Sequence, residues 1–369
     1  MKIAILGTRG IPNQYGGFEQ FAEYLAKGLT QKGHDVFVYS PHNHSYQINK
    51  WNDINIIHCY DPEFKIGTAG QFVYDLNCIL DSRKRNFDLI LQLGYTSSSV
   101  WGWLFSSNAI VLSNMDGLEW KRTKYKTLVQ QFLKFAEKLA VKYSQYWVAD
   151  SIGIQDYLKE KYRIDSDYIP YGADLFDNPD DKVLEKYHLE KQHYDLLIAR
   201  MEPENNIETI LEGWLLSATR RKIIVVGNSD NNLGKYLKAK FKNEDIVFAG
   251  GIYNIVELNN LRHFCAIYFH GHTVGGTNPS LLEAMAAGSF ICAHDNVFNK
   301  TILNNDAEYF QSAKDIAVTM DKAFDDNLRK SRIENNREKV RTLYSWNSVI
   351  NKYEGLMQKL VINRQQLSK

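Results

Sequence analysis

Apolar runs with little internal alternation recur along the first half of the chain, at 2–7, 35–40, 54–59, 89–94, 109–114 and 146–150, and they are rich in Ile, Val and Leu. A strand solvated on one face alternates apolar and polar residues, whereas a strand covered on both faces does not. These runs therefore read as buried parallel strands. Between them lie stretches with helical spacing of apolar residues, such as 18–32 and 125–142. Strand and helix in alternation predict a doubly wound sheet. The pattern then restarts, with strand-like runs at 194–200, 222–227, 246–250, 266–271 and 289–294 and helical stretches at 206–218, 233–241, 253–264 and 279–287. The breakers Pro170, Gly172 and Pro179 in "IPYGADLFDNPDDK" mark the join, giving one domain over 1–175 and another over 176–344. The tail from 327 to 360 reads as helix without strands. The fold class is α/β, with two doubly wound, parallel-sheet, Rossmann-like domains. Ligands of open α/β sheets bind beyond the carboxyl ends of the strands. The loops after strands, and the cleft between two such domains, are where chemistry is expected.

Composition narrows the class. A chain of 369 residues exceeds what one core ordinarily organises, in keeping with two domains. The net charge of +1 gives no global attraction to nucleic acid, so any basic function is local. Cys59, Cys78, Cys265 and Cys292 are far apart and form no paired motif, which reads as buried free thiols in a reducing compartment. The apolar run in "MKIAILGTRGIP" is too short for a secretory signal, and no stretch reaches the length of a membrane span. The expectation is a cytoplasmic protein. The stretch "WKRTKYKTLVQQFLKFAEKLAVKYSQYW" qualifies it. Lys134, Lys138 and Lys142 fall on one helical stripe, Lys121, Arg122, Lys124 and Lys126 lie just upstream, and Phe132, Phe135 and Leu139 take other faces. Two readings stand: a basic amphipathic helix resting on the inner face of the cytoplasmic membrane, or a core-packed helix with a solvated lysine face.

Four post-strand loops hold the candidate chemistry. The first, "GTRGIPNQYGGFEQF", has glycines at the wrong spacing for a dinucleotide fingerprint, and no acid follows the second strand. Gly16 and Gly17 instead let backbone approach a phosphate or sugar at a helix start, with Arg9 either adding charge or held in a surface ion pair. In "SNMDGLEWKR", Asp116 and Glu119 flank an approach to Trp120. Carboxylates there orient or deprotonate a hydroxyl and an indole stacks on a sugar, or Asp116 caps a helix and Glu119 is solvated. In "ARMEPENNIETI", Arg200 leaves a strand end, where its fork suits a diphosphate unless Glu202 or Glu204 pairs with it. In "HGHTVGGTNPSLLEAM", Gly275, Gly276, Thr277 and Asn278 precede Pro279, and the N–H groups of Ser280 and Leu281 are expected to be free for phosphate oxygens. Glu283 stands one turn in, placed to accept from a ribose diol or to sit near the positive end of the helix dipole. His270 and His272 read as core or loop histidines rather than metal ligands.

Together these segments resemble glycosyltransferase family 4, of the GT-B fold group. "FHGHTVGGTNPSLLEAMAAG" stands where that family has "GSxxEGFGxxxLEAMAxG", and "GTRGIPNQYGGFEQF", "NMDGLEWKR" and "ARMEPENNIETILEGW" are similar to its bacterial rhamnosyltransferase-like branch, whose members build surface polysaccharides such as capsule, O-antigen and exopolysaccharide. "YSWNSVINKYEGLM" resembles the family's last helix, which implies that 345–369 packs back on the first domain. The resemblance implies a nucleotide-sugar donor in the second domain and a lipid-linked or oligosaccharide acceptor in the first. Carried over by position, Arg200 binds the diphosphate, Glu283 the ribose, Gly276 and the backbone at Thr277–Leu281 surround the sugar and phosphates, and Gly16 and Gly17 close the site. Arg9, Asp116, Glu119 and Trp120 would meet the acceptor. Two departures stand out. Gly275 replaces the first of the family's paired glutamates, and Asn205 replaces its lysine. The branch implies dTDP-L-rhamnose as donor, no cofactor and no metal, and the family implies retention; Asp116 is the candidate base should transfer invert. The alternatives are a different UDP- or GDP-sugar, or a non-catalytic sugar-nucleotide-binding protein of the same fold.

Overall fold

Ile3 and Ile5 belong to one buried cluster and Ala4 and Leu6 to another. The first strand is thus covered on both faces, which is why its sequence does not alternate. The computed structural model describes residues 1–14, 16–122, 125–219 and 221–367; Lys124, one of the basic residues upstream of 125–142, lies outside them. The chain divides into two compact units. The first takes in the residues up to Lys121, Tyr125–Tyr171 and the chain from Trp346, and the second takes in Arg122 and Gly172–Ser345.

The sheet of the first unit contains β1 (Lys2–Leu6), β2 (Asp35–Pro41), β3 (Lys50–Trp51), β4 (Ile54–Cys59), β5 (Leu89–Leu93), β6 (Ile110–Asn114), β7 (Tyr146–Ala149) and β8 (Asp167–Tyr168), in the order β3-β4-β2-β1-β5-β6-β7-β8. β1 pairs in parallel with β2 (Ile3 opposite Val36) and with β5 (Ile3 opposite Leu89), and β3 alone among these pairs antiparallel, with β4. The helix Gly17–Gln31 buries Phe21, Ala22, Leu25, Ala26 and Leu29, one stripe at helical spacing. That stripe shares a core with Val349, Ile350, Tyr353, Met357 and Leu360 of the C-terminal helix Trp346–Leu367. Tyr24 stacks on Trp346 with ring centroids 4.3 Å apart and planes 7° from parallel. Gly28 permits the contact, because a β-carbon there would lie 2.5 to 2.9 Å from the Ile350 side chain.

The second unit has β9 (Tyr194–Ile198), β10 (Lys222–Val226), β11 (Ile246–Gly250), β12 (Tyr268–His270), β13 (Ile291–His294) and β14 (Glu308–Phe310), all parallel, in the order β11-β10-β9-β12-β13-β14. Leu197, Ile223, Val225, Phe269, Cys292 and Phe310 anchor its core. Three short strands, β3, β8 and β14, escaped the periodicity, since two or three residues carry no pattern to count. The tail is not one helix: Asp326–Lys339 ends in a π-helical turn, Val340–Tyr344, and Ser345 is extended before Trp346 restarts the helix. All four cysteines are free and buried. Among the described residues no helix is long and apolar enough to cross a membrane, and no cluster of three or more His, Cys, Asp or Glu could hold a metal ion.

Both sheets reverse direction once. In the first unit strands are added on one side of β1 and then on the other, from β5; in the second the reversal falls between β9 and β12. At such a point the two successive loops part in opposite directions and leave a crevice at the carboxyl ends.

Two predictions follow from this packing. Gly28→Ala pushes a methyl into Ile350 and is expected to lower unfolding free energy by about 1–3 kcal/mol, read from urea denaturation. His270, 4% exposed at the end of β12, is held neutral by burial, with its pKa lowered to about 3. The unfolded chain binds a proton there that the folded chain refuses, so stability falls as pH drops from about 6.5 toward 3. His270→Phe is expected to flatten that slope, measured as the change in urea midpoint between about pH 7.5 and about pH 5.

Candidate functional site

At the reversal point of the second sheet, β9 leads into Ala199-Arg200-Met201 and β12 into Gly271-His272-Thr273. The segments that follow are zipped together. Asn206 Nδ2 donates to the Gly271 carbonyl at 2.7 Å, and Thr273 donates both N–H and Oγ1 to the Glu204 carbonyl at 3.0 Å. A β-carbon on Gly271 would stand 2.0 Å from the Asn205 carbonyl oxygen, so the approach requires glycine. Asn205 completes the join: Nδ2 donates to the Arg200 carbonyl at 2.7 Å, and Oδ1 meets His272 Nδ1 at 2.7 Å. Asn205 is itself buried, so it frames the site from beneath.

Arg200 is exposed, and no described residue bonds its guanidinium. The pairing weighed for it with Glu202 or Glu204 does not form. Glu204 is buried and faces Arg122, at 3.4 Å. The charge of Arg200 is felt nonetheless: burial first, then Arg122 and Arg200, lowers the His272 pKa to about 4.

The entry to the helix Pro279–Ala286 corrects one expectation. The N–H groups of Ser280 and Leu281 are not free. Asn278 caps the helix, its Oδ1 accepting from Ser280 N at 2.9 Å, and its carbonyl accepts from Leu281 N at 3.1 Å. Unpaired backbone lies just upstream. Gly275 and Gly276 are both buried, and their N–H groups have no described partner. Buried amides seldom stay unpaired. Thr277 is buried beside them.

Glu283 has a partner that no local pattern announces. Arg262, 1% exposed, donates from Nη2 to Glu283 Oε2 at 2.6 Å and to Ser280 Oγ at 3.2 Å, while Tyr268 OH meets the same Oγ at 2.8 Å. Glu283 is thus fixed by a buried guanidinium rather than by the helix dipole alone. Its Oε1 has no described partner.

In the first unit, the ion pair is what Arg9 makes: Nη2 and Nε reach Glu63 Oε1 and Oε2 at 2.7 and 3.2 Å. Its guanidinium is committed, which removes it as a free charge for an acceptor. Gly16 caps the helix in extended conformation with its carbonyl accepting from Gln20 N at 3.1 Å, and Gly17 is exposed with its carbonyl accepting from Tyr171 OH at 2.7 Å. Asp116 and Glu119 are half-buried just past β6. After burial and Glu137, these two carboxylates help hold the Tyr95 phenol well above its usual range. Trp120 departs from its expected role. Its Nε1 donates to Glu137 Oε2 at 3.1 Å, and the ammonium groups of Lys134, Lys161 and Lys121 lie 4.5, 5.4 and 5.5 Å from its ring centre. Cations thus approach the ring expected to stack on a sugar.

The loop after β5 was passed over in the sequence. Gly7 and Gly94, each just after a strand and each at positive φ, were the available signal for the first sheet's reversal point. A β-carbon on Gly7 would lie 1.8 Å from the Leu93 carbonyl oxygen. Below that loop Ser97 Oγ donates to buried Asp75 at 2.5 Å, and burial pushes the Asp75 carboxyl up to about 7.

Residues 1–174 match a family described as a domain of unknown function (DUF1972), and residues 180–339 match the family Glycosyl transferases group 1. Along nearly its whole length the chain is similar to the uncharacterized glycosyltransferase MJ1069 of Methanocaldococcus jannaschii, at 23% identity covering 98% of this chain and 99% of that one. Among solved structures it is similar to sucrose-phosphate synthase from Thermosynechococcus elongatus, with a TM-score of 0.80 at 16% identity over 98% of this chain and 99% of that one. It is also similar to Anabaena HepE in complex with UDP-glucose, with a TM-score of 0.76 at 15% identity over 97% of this chain and 100% of the other. Two parallel-sheet Rossmann-like domains, with a glycosyl transferases group 1 domain over residues 180–339, make this chain a glycosyltransferase of the GT-B type.

Proposed function

We propose that the protein transfers a sugar from a nucleotide diphosphate donor held by the second domain to a lipid-linked or oligosaccharide acceptor recognised by the first, in surface polysaccharide synthesis. The observation that carries this reading is Arg200: an exposed guanidinium without a described partner, on the loop that is bonded to the one carrying two buried glycines whose amides have no described partner. Breaking an anomeric C–O bond builds negative charge on the departing diphosphate. Arg200 supplies a fixed fork for it, and the N–H groups of Gly275 and Gly276 take the part first assigned to Ser280 and Leu281. Glu283, steadied by Arg262, keeps Oε1 for a ribose hydroxyl. HepE has been seen with UDP-glucose, which supports a nucleotide-sugar donor here. The motifs of the rhamnosyltransferase-like branch favour dTDP-L-rhamnose and metal-independent retention, in which the acceptor proton leaves with the phosphate. Under inversion Asp116 is the base.

The membrane reading gains support from the helix Thr127–Tyr143. It buries Leu133, Ala136 and Ala140 and leaves Leu128, Val129 and Phe135 exposed at 79%, 40% and 52%, with Lys134, Lys138 and Lys142 also exposed. An apolar surface with lysines beside it suits an anionic bilayer, where a lipid-linked acceptor would be found.

Arg200→Ala is expected to weaken nucleoside diphosphate binding, measured by calorimetry with UDP, dTDP and GDP, on the order of 10- to 100-fold. Its melting temperature should stay that of the parent, because the side chain bonds nothing described. Unchanged affinity would remove Arg200 from the site, and binding without turnover of dTDP-rhamnose or other nucleotide sugars would favour the non-catalytic alternative. Binding to vesicles containing phosphatidylglycerol is expected at low salt and to fall in Lys134→Glu/Lys138→Glu. Equal binding to neutral vesicles would contradict a charge-assisted surface.

A further inference from the structure

His270 and His272 share one side of the chain after β12, with ring centroids 6.1 Å apart. The bonding around His272 fixes where its proton sits. Asn205 uses Nδ2 to donate to the Arg200 carbonyl, so its Oδ1 can only accept, and the His272 Nδ1 facing it at 2.7 Å carries a hydrogen. The ring is neutral near pH 7, since burial, Arg122 and Arg200 together outweigh the Val274 backbone, which favours the charged form. A neutral imidazole protonated at Nδ1 keeps a lone pair on Nε2. No described donor meets it. A β-carbon built on Gly275 would lie 3.2 Å from that nitrogen, and Gly275 has φ +130°, a conformation side chains rarely adopt. Glycine there keeps the Nε2 edge open.

The groups already assigned to the donor's phosphates, Arg200 and the amides of Gly275 and Gly276, are all hydrogen-bond donors. A sugar presents hydroxyls that also need acceptors. We propose that His272 Nε2 accepts a hydrogen bond from a hydroxyl of the transferred sugar and so helps select the donor. This rests on the nucleotide-sugar reading above. An uncharged acceptor adds no negative charge near Arg200, whose charge is already felt at His272.

The discriminating variant is His272→Asn. An asparagine amide reproduces the Nδ1 donor toward Asn205 and lacks the Nε2 acceptor. Calorimetry compares UDP, dTDP and GDP with UDP-glucose, dTDP-rhamnose and GDP-mannose. The parent protein is expected to bind one diphosphate and to bind a matching nucleotide sugar more tightly. His272→Asn should bind the diphosphate as the parent does and lose roughly tenfold of the preference for the nucleotide sugar. His272→Gln, whose amide oxygen extends toward the vacated Nε2 position, should recover part of it. A variant that keeps the parental preference overturns the role of His272 and leaves the diphosphate site standing. Equal loss of diphosphate and nucleotide-sugar affinity also overturns it, because the imidazole would then only support the loop. A parent protein that binds no diphosphate overturns both this inference and the reading beneath it.

Discussion

One buried amide, Asn205, bonds to both loops at the reversal point of the second sheet. Asn205 ties the carbonyl of Arg200, after β9, to the imidazole of His272, after β12. Parallel strands alone would leave these loops free to part, because strand order reverses between them. Bridging them aligns a cation and a neutral acceptor on one frame. The frame is built by short contacts: glycine at 271 to let the Asn205 carbonyl in, and Thr273 bonded twice to the Glu204 carbonyl. An asparagine can do this where a lysine cannot, since it offers both a donor and an acceptor within one short side chain. The asparagine at 205 is thus tied to the histidine at 272.

Most of the scaffold was legible in the sequence, and for a physical reason. Strands covered on both faces leave uninterrupted apolar runs, and Ile3, Ala4, Ile5 and Leu6 divide between two cores as that reading requires. The helix Gly17–Gln31 shows its buried stripe at the expected spacing. What escaped was short or distant. β14 has three residues, and its identity depends on pairing with β13 rather than on its own pattern. Arg9 and Glu63 are 54 residues apart, and Arg262 and Glu283 are 21 apart, so neither pairing leaves a local trace. The Ser280 amide is a different case. Asn278 immediately before Pro279 is a helix-cap signature, and giving it weight would have shown that the first amides were already taken.

That correction moves the proposed anion contact upstream, with a consequence for its chemistry. A helix N-terminus offers amides aligned with a dipole, whereas Gly275 and Gly276 offer amides in a loop whose path only glycine tolerates at φ +130°. The loop cradle trades dipole strength for closeness of approach, because neither residue carries a side chain to hold a phosphate away. The helix retains a supporting part: its capped start and Tyr268 hold Ser280, Ser280 accepts from Arg262, and Arg262 holds Glu283.

The arginines of this unit show how charge is distributed. Arg122 faces Glu204, and Arg262 is buried against Glu283. A carboxylate beside a guanidinium offsets its charge and so weakens its attraction for a phosphate. Arg200, exposed beside them, has no such competitor among the described residues. The pairing pattern therefore separates Arg200 from Arg122 and Arg262: those two face carboxylates, and Arg200 faces none among the described residues.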